Sequence, residues 1–224
     1  KYTTSSHVNK LILTKYLRSV LSKMRNFILA IILPSFATAW VSMSIAQGNP
    51  VRRSVTKYTK EREVPQNVLT SAVEAALLAP NHFLSEPTRM YHLGDEAVKK
   101  LIALNDAKAK MFAGIPGWMV FTCKTEHLDE SGNISAKLAL EDHATVSCAI
   151  QNFMQSLAED GIGSKWMTGA LGLSPDDILG VAGAEEGEKM VAVVWYGYGD
   201  QGELGEMKIP KRKLSVDDIL TKTP

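Results

Sequence analysis

Three groups of residues in this chain have types and spacing suited to chemistry. Arg52-Arg53-Ser54 sets two guanidinium forks and a hydroxyl side by side, a combination that matches the paired oxygens of a phosphate and hydroxyls next to it. The plainer alternative is a solvated basic stretch. His82, in Ala79-Pro80-Asn81-His82, comes directly after a helix stop, and loops held by a scaffold are where binding groups concentrate. Gly197-Tyr-Gly199-Asp-Gln-Gly202 has the glycine spacing of a dinucleotide-binding turn. That turn needs a helix next, so that a helix N-terminus meets the pyrophosphate, and residues 203–210 have no helical pattern. It reads as a glycine-rich loop leaving a strand.

Other chemistries lack their residues. His7, His82, His92, His127 and His143 never fall at metal-ligand spacing, and no serine sits in a nucleophile elbow, so neither a metalloenzyme nor a serine hydrolase is supported. Two cysteines, Cys123 and Cys148, are too few for a disulfide scaffold; both read as reduced, buried thiols. The formal net charge of +1 hides an asymmetry, because no acid precedes Glu61 while ten Lys or Arg do. Residues 61–224 hold fifteen basic against twenty-four acidic residues. A body of that sign repels a phosphate backbone, which argues against a broad nucleic-acid-binding face. With 224 residues, 45% hydrophobic and 22% charged, the chain suits one ordinary domain with a continuous core and excludes disorder.

The elements that position these residues are legible in outline. Val64-Pro65 opens a helix with proline in its first turn, and Val68, Leu69, Ala72, Val73, Ala76 and Leu77 recur at helical spacing before Pro80. Residues 89–93 form a short strand. Asp95 is the expected N-cap of a second helix whose inner face is Val98, Leu101, Ile102 and Ala109. Residues 115–123 read as a buried strand and Asp129-Glu-Ser-Gly-Asn133 as a turn. The longest helix runs over residues 136–160, with Gly161 placed for the left-handed C-terminal position. Its apolar residues Leu140, Val146, Ala149, Ile150, Phe153, Met154 and Leu157 wrap widely around it, which marks a central helix or one packed in a subunit interface. Ser174-Pro-Asp-Asp177 is a helix start with cap, proline and two dipole-complementing acids. Residues 190–196 form a nearly continuous apolar strand, hence a central one, and residues 217–220 a last short helix. The fold class is α+β in one domain.

Read in order, Arg52-Arg53-Ser54, Ala79-Pro-Asn-His82 with Ser85-Glu-Pro87 and Arg89-Met-Tyr91, Gly161-Ile-Gly163-Ser-Lys-Trp166-Met-Thr-Gly169, and residues 193–199 resemble the FMN-dependent nitroreductase family, in its small, single-domain NAD(P)H branch. The resemblance covers residues 50–222. It implies a central, mainly antiparallel sheet flanked by helices, in an intertwined homodimer with FMN at the subunit interface. It implies that Arg52, Arg53 and Ser54 hold the FMN phosphate and ribityl chain, that His82 and Glu86 approach the flavin from the other subunit, and that Trp166, Met167, Thr168 and Gly169 run along the ring. NADH or NADPH would be the reductant and a nitroaromatic or quinone-like small molecule the acceptor, with no catalytic side chain needed. Flavin-dependent dehalogenation, flavin fragmentation and non-catalytic FMN binding remain alternatives on the same fold. The chain departs from the family pattern at Thr56, where a basic residue is common, and at Thr88, where a tryptophan commonly comes after Glu-Pro. Lys211-Arg212-Lys213 is either the basic contact to phosphate that some members place near the C-terminus, with Arg212 as the implied ligand, or a solvated basic turn.

Residues 1–47 read as an address. Lys23, Met24 and Arg25 precede the apolar run 27–33, and Ala37-Thr-Ala39 supplies the small residues of a cleavage site. An aromatic Trp40 after Ala-Thr-Ala resembles presequences for secondary plastids, so a plastid is the favoured destination, with a mitochondrion or the secretory route as alternatives. Met24 is a candidate initiator. The competing reading is a signal anchor, since residues 26–51 carry no charge and are long enough to cross a bilayer. The body, residues 48–224, is expected to need no membrane once the presequence is removed.

Overall fold

A computed structural model describes residues 52–126, 128, 130–169, 171–208 and 212–223. The targeting reading of residues 1–47 therefore lies outside the described residues, as do Asp129 of the expected turn and Lys211 of the basic run.

The first helix, α1, spans Gln66–Leu77. Pro65 stands one step earlier than expected, as N-cap rather than inside the first turn. Leu69, Ala72, Ala75 and Ala76 are buried, whereas Leu77 is 68% exposed, so the inner stripe turns away from that leucine at the helix end. Strand β1 is Thr88–His92 and α2 is Asp95–Leu104. Gly94, not Asp95, occupies the N-cap position, and Asp95 with Glu96 lies in the first turn, where a carboxylate meets the positive end of the helix dipole. Ala109 is not on α2 at all: a 3-10 turn at Asp106–Lys108 leads to a separate helix α3, Ala109–Phe112.

Strand β2, Gly117–Cys123, has all seven residues buried. Helix α4 comes next as Ala136–Glu159, capped by Ser135, whose hydroxyl accepts from the Leu138 N–H. It stops at Asp160, with Gly161 at φ 73° taking the left-handed position that an L side chain resists. Leu140, counted on its apolar face, is 71% exposed, and Cys148 is exposed as well; only Cys123 is a buried thiol. Periodicity marks apolar positions but not where a neighbouring element ends. Strand β3 is Gly163–Met167, α5 is Pro175–Ala182, and β4 is Lys189–Gly197. Helix α5 carries a complete capping box between Ser174 and Asp177. A 3-10 turn at Leu204–Glu206 and the short helix α6, Val216–Ile219, finish the described chain.

The four strands form one antiparallel sheet in the order β1-β2-β4-β3. The two longest apolar strands are therefore central, as their near-continuous hydrophobicity requires. One face packs Met119, Phe121, Val194 and Tyr196 against α1 and α4 through Leu69, Val146, Ile150, Phe153 and Leu157. The other buries Trp118, Val120, Val193 and Trp195 with Phe112, Leu101 and Ile178. There Trp118 meets Trp195 and Phe112 edge to face at 5.2 Å, the geometry that ring quadrupoles favour. Among the described residues no helix is long and apolar enough to cross a membrane.

Candidate functional site

Residues 52–59 lie along the outer side of β3 and the exit of β4. Ser54 bridges Ser164 in parallel and Tyr58 bridges Gly199; Val55 N–H donates to the Ser164 carbonyl at 3.1 Å and Thr59 N–H to the Tyr198 carbonyl at 2.9 Å. Val55 then sits where a side chain on residue 163 would be, because a Cβ there would lie 2.3 Å from Val55 Cγ2. Gly163 is needed for this close approach, and the Tyr58 hydroxyl secures it by donating to the Val55 carbonyl at 2.7 Å.

This seat fixes the arginines. Arg53 is buried, its Nε donating to the Met207 carbonyl at 3.3 Å and a terminal nitrogen to the Arg52 carbonyl at 2.9 Å. The Met207 contact ties the chain leading to Arg212 into the same corner. Arg52 is half-buried; desolvation first, then the positive charges of Arg212 and Arg53, lower its pKa from the usual guanidinium value. Among the described residues none of the three forms an ion pair with a carboxylate. The Ser164 hydroxyl, on the strand whose backbone Ser54 and Val55 meet, is buried without a partner among the described residues. Three converging cations suit a ligand bearing a phosphate. Ser54 is exposed next to them.

Trp166 and Met167 end β3, paired with Val194 and Val193. Strand alternation sends them to opposite faces: Trp166 packs partly against the core beneath α1 and α4, and Met167 is buried in the aromatic core. Thr168 and Gly169 come next, in the open. Beyond the Ser54–Ser164 bridge no strand flanks β3 among the described residues, so these backbone groups are reachable.

His82 and Glu86 belong to a different corner, between α1 and β1. A 3-10 turn covers His82–Leu84, and Phe83, Leu84 and Glu86 have positive φ of 52°, 54° and 45°, conformations that cost an L residue of order 1 kcal/mol or more each. Phe83 and Leu84 are 81% and 80% exposed. The His82 ring nitrogen Nδ1 meets the Glu141 carboxylate, Ser85 donates to Asp142 Oδ1 at 2.7 Å, and Thr145 donates to the Pro80 carbonyl at 2.8 Å. A cleft of about 350 Å³ opens here, lined in part by Ala76, Ala79, Asn81, Glu86, Thr88 and Thr145. The Thr88 side chain is small, which leaves this wall open. No hydrogen bond or ion pair among the described residues joins His82 or Glu86 to the arginine corner.

Glu141, Asp142 and Thr145, which hold the second corner, and Ser164, on the strand beside the first, were not singled out by their sequence context. The signal available for the first three was a polar group, Glu-Asp-x-x-Thr, near the start of a helix rich in apolar residues.

A model of the nitroreductase family matches residues 51–198, more than half of the sequence. The chain belongs to the nitroreductase family. A curated relative, "Putative NAD(P)H nitroreductase YfhC" of Bacillus subtilis (strain 168), is 25% identical over 178 residues, covering 72% of this chain and 87% of its own. Among solved structures, a nitroreductase-like family protein from Bacillus cereus aligns with a TM-score of 0.63 at 21% identity, over 82% of this nitroreductase-family chain and 95% of that one. A nitroreductase in complex with FMN from Desulfovibrio desulfuricans aligns with a TM-score of 0.60 at 19% identity, over 82% and 96%. The nitroreductase-like α+β architecture expected from the motifs is the one observed, and the family is one of oxidoreductase enzymes.

Proposed function

We propose that the protein is an FMN-dependent oxidoreductase that passes reducing equivalents from NADH or NADPH to a nitroaromatic or quinone-like acceptor and works as a homodimer. The observation that carries the reading is the corner where Arg52, Arg53 and Arg212 converge with no ion-paired carboxylate among the described residues. Mutual repulsion among these guanidiniums falls when a phosphate monoester enters, so the corner fits the phosphate end of FMN. FMN, when bound, supplies the two-electron exchange between nicotinamide and acceptor.

This chain's residues then have definite tasks. Arg52, Arg53 and Arg212 neutralise the phosphate and Ser54 meets the adjoining hydroxyls. The chain from Trp166 to Gly169 presents backbone groups along the ring, with Trp166 and Met167 anchored in the two cores. His82 and Glu86, in the other corner of the same chain, serve the site of a second copy. Exposed Leu77, Leu78, Phe83, Leu84 and Leu140 support such pairing, since exposed apolar clusters of this kind mark association surfaces. The cleft at Thr88 leaves room for the acceptor.

The test is to purify the protein, record its visible spectrum, identify the flavin released on denaturation, and follow NADH and NADPH oxidation with nitroaromatic and quinone acceptors. A yellow protein releasing FMN and oxidising either nucleotide is expected. A protein that takes up no FMN sinks the reading, and one that binds FMN without oxidising either nucleotide is a flavin binder instead. Light scattering should give a dimer.

We also read residues 1–47 as an organellar targeting segment, with a plastid favoured, because an acid-free basic segment suits import machinery. Tagged full-length protein should be shortened and released by carbonate washing; uncleaved protein retained in washed membranes favours the anchor.

A further inference from the structure

Residues 80–86 hold an unfavourable shape and display what a chain ordinarily hides. Phe83, Leu84 and Glu86 all sit at positive φ, while Phe83 and Leu84 point their apolar side chains outward. A segment like this persists only where its surroundings over-determine it. Three residues on one flank of α4 do so: Glu141 meets His82, Asp142 accepts from Ser85, and Thr145 donates to the Pro80 carbonyl.

These anchors are not equivalent. The His82–Glu141 pair is partly exposed at 40% and 33%, so water and salt weaken it. Asp142 is 1% exposed, and its Oδ2 has no partner. A buried carboxylate with one oxygen unmatched opposes folding, and a well-packed apolar side chain would not. What Asp142 supplies instead is position. Its partner Ser85 is the αR residue between Leu84 and Glu86, in the centre of the strained run. Ser85 Oγ lies 3.1 Å from Asn81 Oδ1, the oxygen that also accepts the Glu86 N–H at 3.1 Å. With its one proton given to Asp142, Ser85 Oγ meets Asn81 Oδ1 only as a neighbour, so Asp142 holds the centre of the run through Ser85 while Asn81 separately holds the Glu86 backbone.

We propose that Asp142 is a positioning residue: through Ser85 it fixes residues 80–86 in the conformation that sets His82 and Glu86 toward the flavin. The functional half of this statement rests on the FMN reading; the structural half does not.

The experiment uses the full chain with Asp142→Ala, Asp142→Asn, Ser85→Ala and the Ser85→Ala/Asp142→Ala pair. Hydrogen exchange at residues 82–86 of FMN-free protein reads the loop alone, and should rise strongly in Asp142→Ala and Ser85→Ala. FMN titration and turnover at saturating FMN read the site. In the alanine variants, FMN affinity and kcat are each expected to fall roughly tenfold. Asn keeps the acceptor for Ser85 and replaces the unmatched oxygen with a donor, so it should restore both. The double variant should be no worse than either single one, because one latch is broken twice. Unchanged exchange in Asp142→Ala, or Asn as defective as Ala, overturns the proposal. If Asp142→Ala does not fold, Ser85→Ala decides by the same readings. Wild-type protein that binds no FMN defeats the functional reading while leaving the loop measurement intact.

Discussion

Residues 52–59 and residues 80–86 border the two corners of the site, and they are held by opposite means. The first segment is stitched to the sheet by its backbone: the Val55 and Thr59 amides donate to β3 and to the β4 exit. It carries no positive-φ side-chain residue. The second has three such residues and is held chiefly by side chains from α4, 57 or more positions away in sequence. A backbone-paired segment tolerates most substitutions within itself but depends on the space it enters. A side-chain-held segment depends on a few polar atoms, each separately removable. Damage to the first should therefore come from a glycine outside it, and damage to the second should come in small, additive or coupled steps.

The largest effect should come from removing that space. Gly163→Val places a side chain where Val55 already lies, since even a Cβ would approach to 2.3 Å. Overpacking of this kind typically costs about 1–3 kcal/mol, occasionally more. The arginine segment must peel away, so FMN retention should be lost and the melting temperature should fall. Gly163→Val that still binds FMN tightly would show that the seat is not needed.

Next in size is Arg53→Ala. A charge-assisted hydrogen bond is worth roughly 1.5–3 kcal/mol, or about one to two orders of magnitude in the FMN dissociation constant. Turnover should largely recover when FMN is saturating. Arg212→Ala should weaken FMN less, because Arg212 is exposed while Arg53 is buried, and its effect should shrink in salt. Isothermal titration at two ionic strengths separates the pair.

In the second corner, Thr145→Val removes one donor to the Pro80 carbonyl while keeping side-chain shape. A loss of about 1 kcal/mol is expected, or about 2–4 °C in melting temperature for a domain of this size, with FMN affinity changed far less than in Arg53→Ala. An equal effect on FMN would erase the contrast between the corners.

The smallest effect should be one of pH and should touch neither corner. At the end of β1, His92 Nε2 meets the Tyr196 hydroxyl at 2.9 Å, and desolvation at that buried edge lowers its pKa although much of the ring is exposed. A histidine depressed in the folded state binds fewer protons than in the unfolded chain. Its contribution is therefore complete above the unfolded value of about 6.5 and is lost as pH falls through the folded one. The melting temperature should drop slightly on acidification below pH 6.5, and His92→Gln should flatten that drop.

Much of this protein is decided by local rules. Residues 115–123 read as a buried strand and residues 190–196 as a central one, and they form β2 and β4. Gly161 ends α4 because a left-handed residue is required there, and Ser174 with Asp177 starts α5 because both halves of the capping box are supplied within four residues. Arg52-Arg53-Ser54 has the residue types for a phosphate, but a solvated basic stretch has the same types, and it is the order of the later motifs that favours the first reading. β3 was not legible as a strand: Gly-Ser-Lys-Trp-Met is too short and mixed to alternate, and pairing with β4 makes it one.

Only the tertiary structure decided which apolar and polar positions are covered. Leu77, Leu140 and Cys148 fit their helices by spacing yet face outward, because burial depends on whether another element lies opposite. No spacing rule singles out Gly163, which becomes a requirement only when Val55, 108 positions earlier, is seated against it. Asp142 likewise reads as an ordinary helical acid until Ser85 is brought to 2.7 Å. Hydrogen-bond direction and excluded volume are properties of pairs of residues, and no rule of local spacing reaches across the 57 positions that separate these two.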